Sequence, residues 1–322
     1  MTPARGGLAT GVRKARLLSG DGTSMRGVAA SLTAATLFAS MFFISGVLDG
    51  TSSEYVFAWR IFAIVLCYGL MLLHPAARAA LAQYWAALTS TRWRPLLLLV
   101  LAPLVGFQLW LFAWAPMHGH ALGISLGYLL LPITLVFAGR FALSNAVTRM
   151  QWVAVGLAAI AVAYKLALSP VVSWTTFGVC LGYPLYFILR QRSGLDSPAA
   201  LGVEMTALLP VGVLLTATAG LSTTGTSGHI GAIVIGLMGA AAMAAHLGAS
   251  RLLPLPLFGL LGYVEPVLLV IVAVILGERV HGPDLVVYGL LAVALTLLGI
   301  EGYRRAVAHN RSRQTPEPVS TT

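Results

Sequence analysis

Three ionisable side chains fall inside long apolar runs: Glu265, Glu204 and Arg60. Such a group in hydrocarbon costs at least ~2.5–3.5 kcal/mol on insertion scales, so it normally faces a bundle interior and marks a site. Glu265 lies about eleven residues from either end of its run, hence ~16 Å from each surface at ~1.5 Å per residue. Hydrocarbon favours the neutral form of a carboxyl group, which suits a group that takes up and releases protons. The plainer reading is a permanently protonated Glu that holds two helices together, and the adjoining Pro266 favours the functional one. Glu204 lies about six residues into its run and Arg60 about five residues into its own from the opposite face, ~13 Å apart along the membrane normal. Glu265 lies between them in depth, so the three form a possible ladder, Glu204–Glu265–Arg60, for proton or substrate charge. Snorkelling to the nearer surface is the competing reading for Arg60 and, less naturally for so short a side chain, for Glu204.

Rings and an amide stand in neighbouring runs. Gln108, Trp110, Tyr128 and Tyr263 are the candidates to line a substrate cavity, since an aromatic ring with one polar atom suits an amphiphilic organic solute. Trp114 reads instead as an interfacial anchor. Proline has no N–H, so Pro103, Pro132, Pro184, Pro210 and Pro266 free the carbonyls of Leu99, Tyr128, Cys180, Thr206 and Gly262. Broken backbone at membrane depth is tolerated only beside protein or a polar cavity. These five are the hinge or gate candidates, with simple kinking as the alternative for each.

The elements that must position these residues are apolar helices. Of 322 residues, 58% are apolar and 9% charged, against roughly 25% charged in a soluble domain. The apolar stretches are continuous, which argues against a transmembrane barrel. The expected fold class is an all-α polytopic membrane protein with ten transmembrane helices, near 26–48, 55–73, 95–116, 120–139, 150–168, 173–189, 198–220, 230–250, 254–276 and 284–303. Leu126-Gly127-Tyr128 with Pro132 recurs as Leu261-Gly262-Tyr263 with Pro266. The copies lie five spans apart, in the fourth and the ninth, so the second is upside down relative to the first, the mark of a secondary transporter built as a five-plus-five inverted repeat. Residues 26–168 form the first repeat and 173–305 the second. Residues 1–25 read as a cytoplasmic extension without fixed structure, with Met25 as an alternative start, and 306–322 as a cytoplasmic tail. Alternation from a cytoplasmic N-terminus puts 17 of the 20 Lys and Arg on the cytoplasmic side, as the positive-inside rule requires. The net charge of +10 is then topology, and no nucleic-acid partner is expected. Cys67 and Cys180 fall inside spans, which leaves no disulfide framework.

Two enzyme-like signals fail on context. Gly123-Ile124-Ser125-Leu126-Gly127 matches the Gly-x-Ser-x-Gly elbow, which needs a strand-to-helix turn at the top of a sheet; here the serine lies within an apolar helix. His118 and His120 are two apart, so they diverge on a helix and lack metalloprotease spacing. No phosphate-binding Gly-Lys-Ser/Thr loop is present. No catalytic residue, metal or cofactor is expected.

Trp110-Leu111-Phe112-Ala113-Trp114, His118 through Tyr128, Arg149-Met150-Gln151-Trp152, and Glu204 followed by Leu208-Leu209-Pro210 resemble the RarD branch of the EamA family, within the drug/metabolite transporter superfamily. Gly262-Tyr263-Val264-Glu265-Pro266 and Gly277-Glu278-Arg279 match the broader EamA pattern. The resemblance covers about 26–305. It implies ten helices in two inverted halves, both termini cytoplasmic, and movement of small organic solutes. Ser144-Asn145 stands where that family often has Gly-Glu-Arg. The expectation is a secondary transporter of small metabolites or drug-like molecules in a bacterial inner membrane. Proton-coupled export by alternating access is the favoured mechanism. Uniport or import is the alternative, and an intramembrane enzyme or accessory subunit the more distant one. The expected partners are a small-molecule substrate, protons and the lipid bilayer; a homodimer is compatible with the sequence.

Overall fold

Apolar runs make the helices, and a few polar, proline and glycine residues cut them. The computed structural model describes residues 6–142, 148–168, 173–219, 225–253, 258 and 261–314. Among these, every regular element is helical. They are α1 (Gly6–Val47), α2 (Ser53–Met71), α3 (Pro75–Thr89), a short 3-10 turn (Arg94–Leu97), α4 (Leu98–Met117), α5 (Ala121–Ala142), α6 (Arg149–Leu168) and α7 (Trp174–Ser193). Then follow α8 (Ala200–Ala207), α9 (Leu209–Ala219), α10 (Gly225–Leu252), α11 (Val264–Ile275) and α12 (Gly282–Gln314). Helix α1 begins at Gly6, within the expected extension, and its membrane-length apolar part is Met25–Val47.

Local chemistry sets the ends. Ser52 Oγ accepts the Tyr55 N–H at 3.2 Å and starts α2, a serine N-cap satisfying one of the bare donors of a first turn. Pro75 opens α3 with His74 Nδ1 accepting the Ala76 N–H. Gly119, at φ +69°, reverses the chain between α4 and α5, a left-handed conformation that suits glycine. Gly277, at φ +93°, does the same after α11.

Five described helices are long and apolar enough to cross a membrane, and α8 with α9, bent by 47° about Leu208, makes a sixth. Helix α11 and residues Asp284–Ile300 of α12 are shorter apolar helices. The stretch expected as a plain connection, 74–94, contains α3. Tyr84 and Leu88 anchor that helix in a core shared with Leu101, Val105, Leu195 and Met205.

Of the expected hinges, Pro103, Pro132 and Pro184 lie inside continuous helices. Pro210 follows the α8–α9 bend, where the Leu208 N–H is shared between the carbonyls of Glu204 and Met205. Pro266 sits in the first turn of α11, where a missing N–H leaves no helical bond unmade.

Helix α1 packs on α10, α4 and α11; α2 on α10, α9, α4 and α8; α5 on α7 and α11; and α6 on α12. Small residues set the closest approaches. A Cβ on Gly127 would lie 2.9 Å from the Thr176 carbonyl oxygen of α7, and one on Gly236 would lie 2.7 Å from that of Trp59 in α2. Glycine at such crossings lets helix backbones meet.

Candidate functional site

Helices α2, α4, α5, α7 and α11 bring a cation, a carboxyl group and two phenols together in the middle of the bundle. Arg60 is 3% exposed. Its Nη1 donates to the Leu109 carbonyl at 2.6 Å and its guanidinium stands 5.4 Å from the Phe112 ring centre, while Nε has no partner among the described residues. The Tyr128 and Tyr183 hydroxyls are 3.2 Å apart, and Tyr128 meets the same Phe112 ring edge-on at 5.7 Å. Both Arg60 and Glu265 lie within electrostatic range of this tyrosine pair. Glu265, half-buried in the first turn of α11, makes no hydrogen bond or ion pair to any described residue. A buried guanidinium and a carboxyl group with no partner among the described residues thus both act electrostatically on two linked phenols.

Glu204 is placed elsewhere. It is fully buried in α8, and its Oε2 accepts from the Tyr186 hydroxyl at 2.6 Å. That hydroxyl in turn accepts from Arg190 Nη1 at 2.7 Å. Arg190 Nη2 reaches the Ser197 carbonyl at 2.9 Å and Asp196 at 3.1 Å. Glu204 Oε1, Arg190 Nε and the hydroxyls of Tyr84 and Tyr68 are buried without a partner among the described residues. In α3, burial pushes the Tyr84 phenol up to about 12, with the nearby Glu204 charge acting the same way. Arg60 and Glu265 therefore share a centre, whereas Glu204 belongs to a separate Tyr186–Arg190 network.

The cavity candidates divide in the same way. Gln108 is 2% exposed and donates from Nε2 to the Gly178 carbonyl at 2.9 Å, joining α4 to α7, while its Oε1 has no partner among the described residues. Trp110 Nε1 donates to Glu54 at 3.2 Å, and its ring lies 5.7 Å from Trp114. Tyr128 belongs to the centre, but Tyr263, its counterpart in the repeated phrase, packs against the core cluster that contains Leu126 and Val287. Ser125 is buried, and its hydroxyl donates to the Ala121 carbonyl four residues back at 2.8 Å, so it is neither exposed nor raised on an elbow. His118 and His120 do not diverge as they would on one helix. The turn at Gly119 brings both rings onto Trp114, at 4.3 and 5.3 Å.

Two clefts open at the end of the bundle carrying this turn. One, of about 420 Å³, is lined by Asp49, Ser52, Ser53, Glu54 and His118. The other, of about 310 Å³, is lined by His120, Lys165, Ser173, Thr176, Glu278 and Asp284. Lys165 of α6 pairs with Asp284 of α12 there. The Glu278 carboxylate accepts the N–H groups of Ala121 and Leu122, capping α5.

No protein-family model matches the chain. A Pseudomonas aeruginosa protein named chloramphenicol-sensitive protein RarD is 34% identical over 291 residues, covering 87% of this chain and 96% of that relative. Proteins named uncharacterized transporter in Haemophilus influenzae and Pasteurella multocida are each 31% identical, over 86% and 87% of this chain and 94% and 98% of their own lengths. The chain belongs to the RarD-like transporter family. It is a multi-pass helical membrane protein and a transporter, not an enzyme.

Sequence reading missed several residues that the RarD-like structure brings into use. Tyr186 and Arg190 are four apart on one helix face, a local signal, but nothing local joins them to Glu204. Glu54 lies in the first turn of α2 and meets Trp110 only through the packing of α2 on α4. The turn at Ser144-Asn145 lies outside the described residues.

Proposed function

We propose that this RarD-like protein is a proton-coupled exporter of small metabolites or drug-like molecules, working by alternating access in a bacterial inner membrane. The observation that carries the reading is Glu265: an unpartnered carboxyl group at a helix break, sharing the Tyr128–Tyr183 pair with the buried Arg60. The start of a helix favours negative charge and hydrocarbon favours the neutral form. These opposing pulls make protonation sensitive to what occupies the centre. A solute that engages Arg60 or the tyrosines would change the field at Glu265, so solute and proton can exchange.

The reading includes ten spans in two inverted halves of EamA type, with both termini cytoplasmic. Part of the packing supports it, although the α1–α4 and α2–α4 contacts have no comparably close counterpart among the described residues. Pairing α1 with α7, α2 with α8–α9, α4 with α10, α5 with α11 and α6 with α12 turns the contact α1–α10 into α7–α4. It likewise turns α5–α7 into α11–α1 and α2–α10 into α8–α4, and all of these pairs touch. The contacts α2–α9, α5–α11 and α6–α12 map onto themselves and are also present. The name of the Pseudomonas relative, which speaks of chloramphenicol sensitivity, makes chloramphenicol a first solute to try.

The test is transport by the purified chain in liposomes under an imposed pH gradient, beside Glu265→Gln. The wild type is expected to move solute and protons in opposite directions, and the variant to lose the dependence on the gradient. Gradient-dependent transport unchanged in the variant would remove Glu265 from coupling, and transport indifferent to the gradient in the wild type would favour uniport.

A further inference from the structure

Helix α3 stands off from α2 and α8 and leaves a groove of about 740 Å³ that the transport reading does not use. Its walls are mostly apolar, with Val65, Gly69, Leu72, Leu81 and Val203 along it and the exposed ring of Trp85 at its rim. Its one charged lining residue is Arg78, which is exposed and makes no ion pair or side-chain hydrogen bond to a described residue. The anchoring of α3 explains the gap. Tyr84 and Leu88 are drawn into the core, and the adjoining face of α3, with Arg78, Leu81, Ala82 and Trp85, lines the groove. No Asp or Glu occurs between Glu54 and Asp196, and Arg78, Arg92 and Arg94 stand around α3 without a nearby acid in sequence. Trp85 and Trp93 are each more than half exposed, as rings at a membrane–water boundary are. An apolar slot beside the membrane-length helix α2, ending at a guanidinium without an ion pair among the described residues, is the complement of one molecule: an acyl chain with an anionic head.

We propose that the groove between α2, α3 and α8 binds one anionic phospholipid of the cytoplasmic leaflet, its acyl chain between Gly69 and Val203 and its phosphate on Arg78. Lys and Arg clusters just outside membrane helices attract anionic lipids generally; the groove adds a place for the chain and so makes a site. The proposal rests on the membrane-spanning arrangement but not on proton coupling, so it stands or falls apart from Glu265.

The test is native mass spectrometry of the full-length protein released from nanodiscs containing equal phosphatidylglycerol and phosphatidylcholine. Three variants accompany the wild type: Arg78→Ala, Arg92→Ala and Gly69→Leu. A Cβ at Gly69 meets nothing within 4 Å, so a leucine there can project into the groove that Gly69 lines. The wild type is expected to retain one phosphatidylglycerol about tenfold more often than one phosphatidylcholine. Arg78→Ala should bring that ratio near one, Arg92→Ala should leave it within about twofold, and Gly69→Leu should reduce retention of both lipids. Equal retention of the two lipids by the wild type overturns the proposal. So does an undiminished preference in Arg78→Ala, or an equal loss in Arg78→Ala and Arg92→Ala, which would mean diffuse surface attraction. Retention unchanged in Gly69→Leu would place the lipid outside the groove and overturn it as well.

Discussion

Tyr186→Phe removes one oxygen and with it the centre of a buried charge relay. In the wild type that oxygen donates to Glu204 at 2.6 Å and accepts from Arg190 at 2.7 Å. Glu204 has no other hydrogen bond among the described residues, since its second oxygen is already buried and unpartnered. Arg190 keeps the Ser197 carbonyl and Asp196. The substitution therefore strands one side of the relay and merely weakens the other. Leaving a buried polar group unsatisfied costs about 1–3 kcal/mol, more when it is charged, so the loss of Glu204's only donor should dominate. The expected destabilisation is about 2–4 kcal/mol. Glu204→Gln alone should cost less, because an amide oxygen still accepts from the Tyr186 hydroxyl. In the Tyr186→Phe, Glu204→Met double variant no buried carboxyl group is left to strand, so the double loss should fall short of the sum of the singles by about 1–3 kcal/mol, as expected for residues in direct contact. Reversible unfolding in mixed micelles, with SDS fraction as denaturant, reads all the variants. Additive losses, or a Tyr186→Phe cost below about 0.5 kcal/mol, would show that the relay contributes little and that Glu204 is satisfied by other means.

Other perturbations test other parts of the bundle. Gly127→Ala places a methyl group 2.8 Å from the Val179 Cβ and 2.9 Å from the Thr176 carbonyl oxygen, and should cost about 1–3 kcal/mol by overpacking, read by the same unfolding assay. Pro210→Ala restores a helical donor beside the 47° bend; stability should hold or rise while the transport rate falls at least several-fold, and an unchanged rate would show that the bend is not used in the cycle. Tyr84 sits in α3 with its phenol pushed up to about 12 by burial, so in the folded chain it stays neutral at every pH below that, while an unfolded chain keeps it neutral only below about 10. Tyr84→Phe should accordingly leave the shape of any pH–transport profile unchanged.

How much was legible in the sequence differs from residue to residue. Helix α5 and the break near Pro210 follow from apolar length and a missing N–H, which are local properties. Helix α3 has local signals, Pro75 at its start and an Ala-rich body, but a reading that follows membrane-length apolar runs passes over the segment as a connection. The centre was half legible. Depth alone singled out Arg60 and Glu265, whereas Tyr183, which joins Tyr128 from α7, depends on how two helices are rotated about their axes. Stepwise spacing in depth also groups Glu204 with them as a ladder, because position along the membrane normal says nothing about position within the plane. The repeated Leu-Gly-Tyr likewise made Tyr263 a twin of Tyr128, yet their surroundings differ: Tyr128 lies within a continuous helix and Tyr263 just before α11.

The cap on α5 has a consequence for how the chain is made. The two N–H groups at residues 121 and 122 find their acceptor on Glu278, more than 150 positions later in synthesis. A nascent chain therefore inserts α5 with a bare first turn and completes it only when α11 and the residues beyond it have emerged. The first half made alone would carry that turn open at the bundle end, exposed to water or to a wrong partner. Two separately expressed fragments split in the 169–172 segment should then recover a native α5 only by finding each other, so biogenesis couples the halves before any solute does.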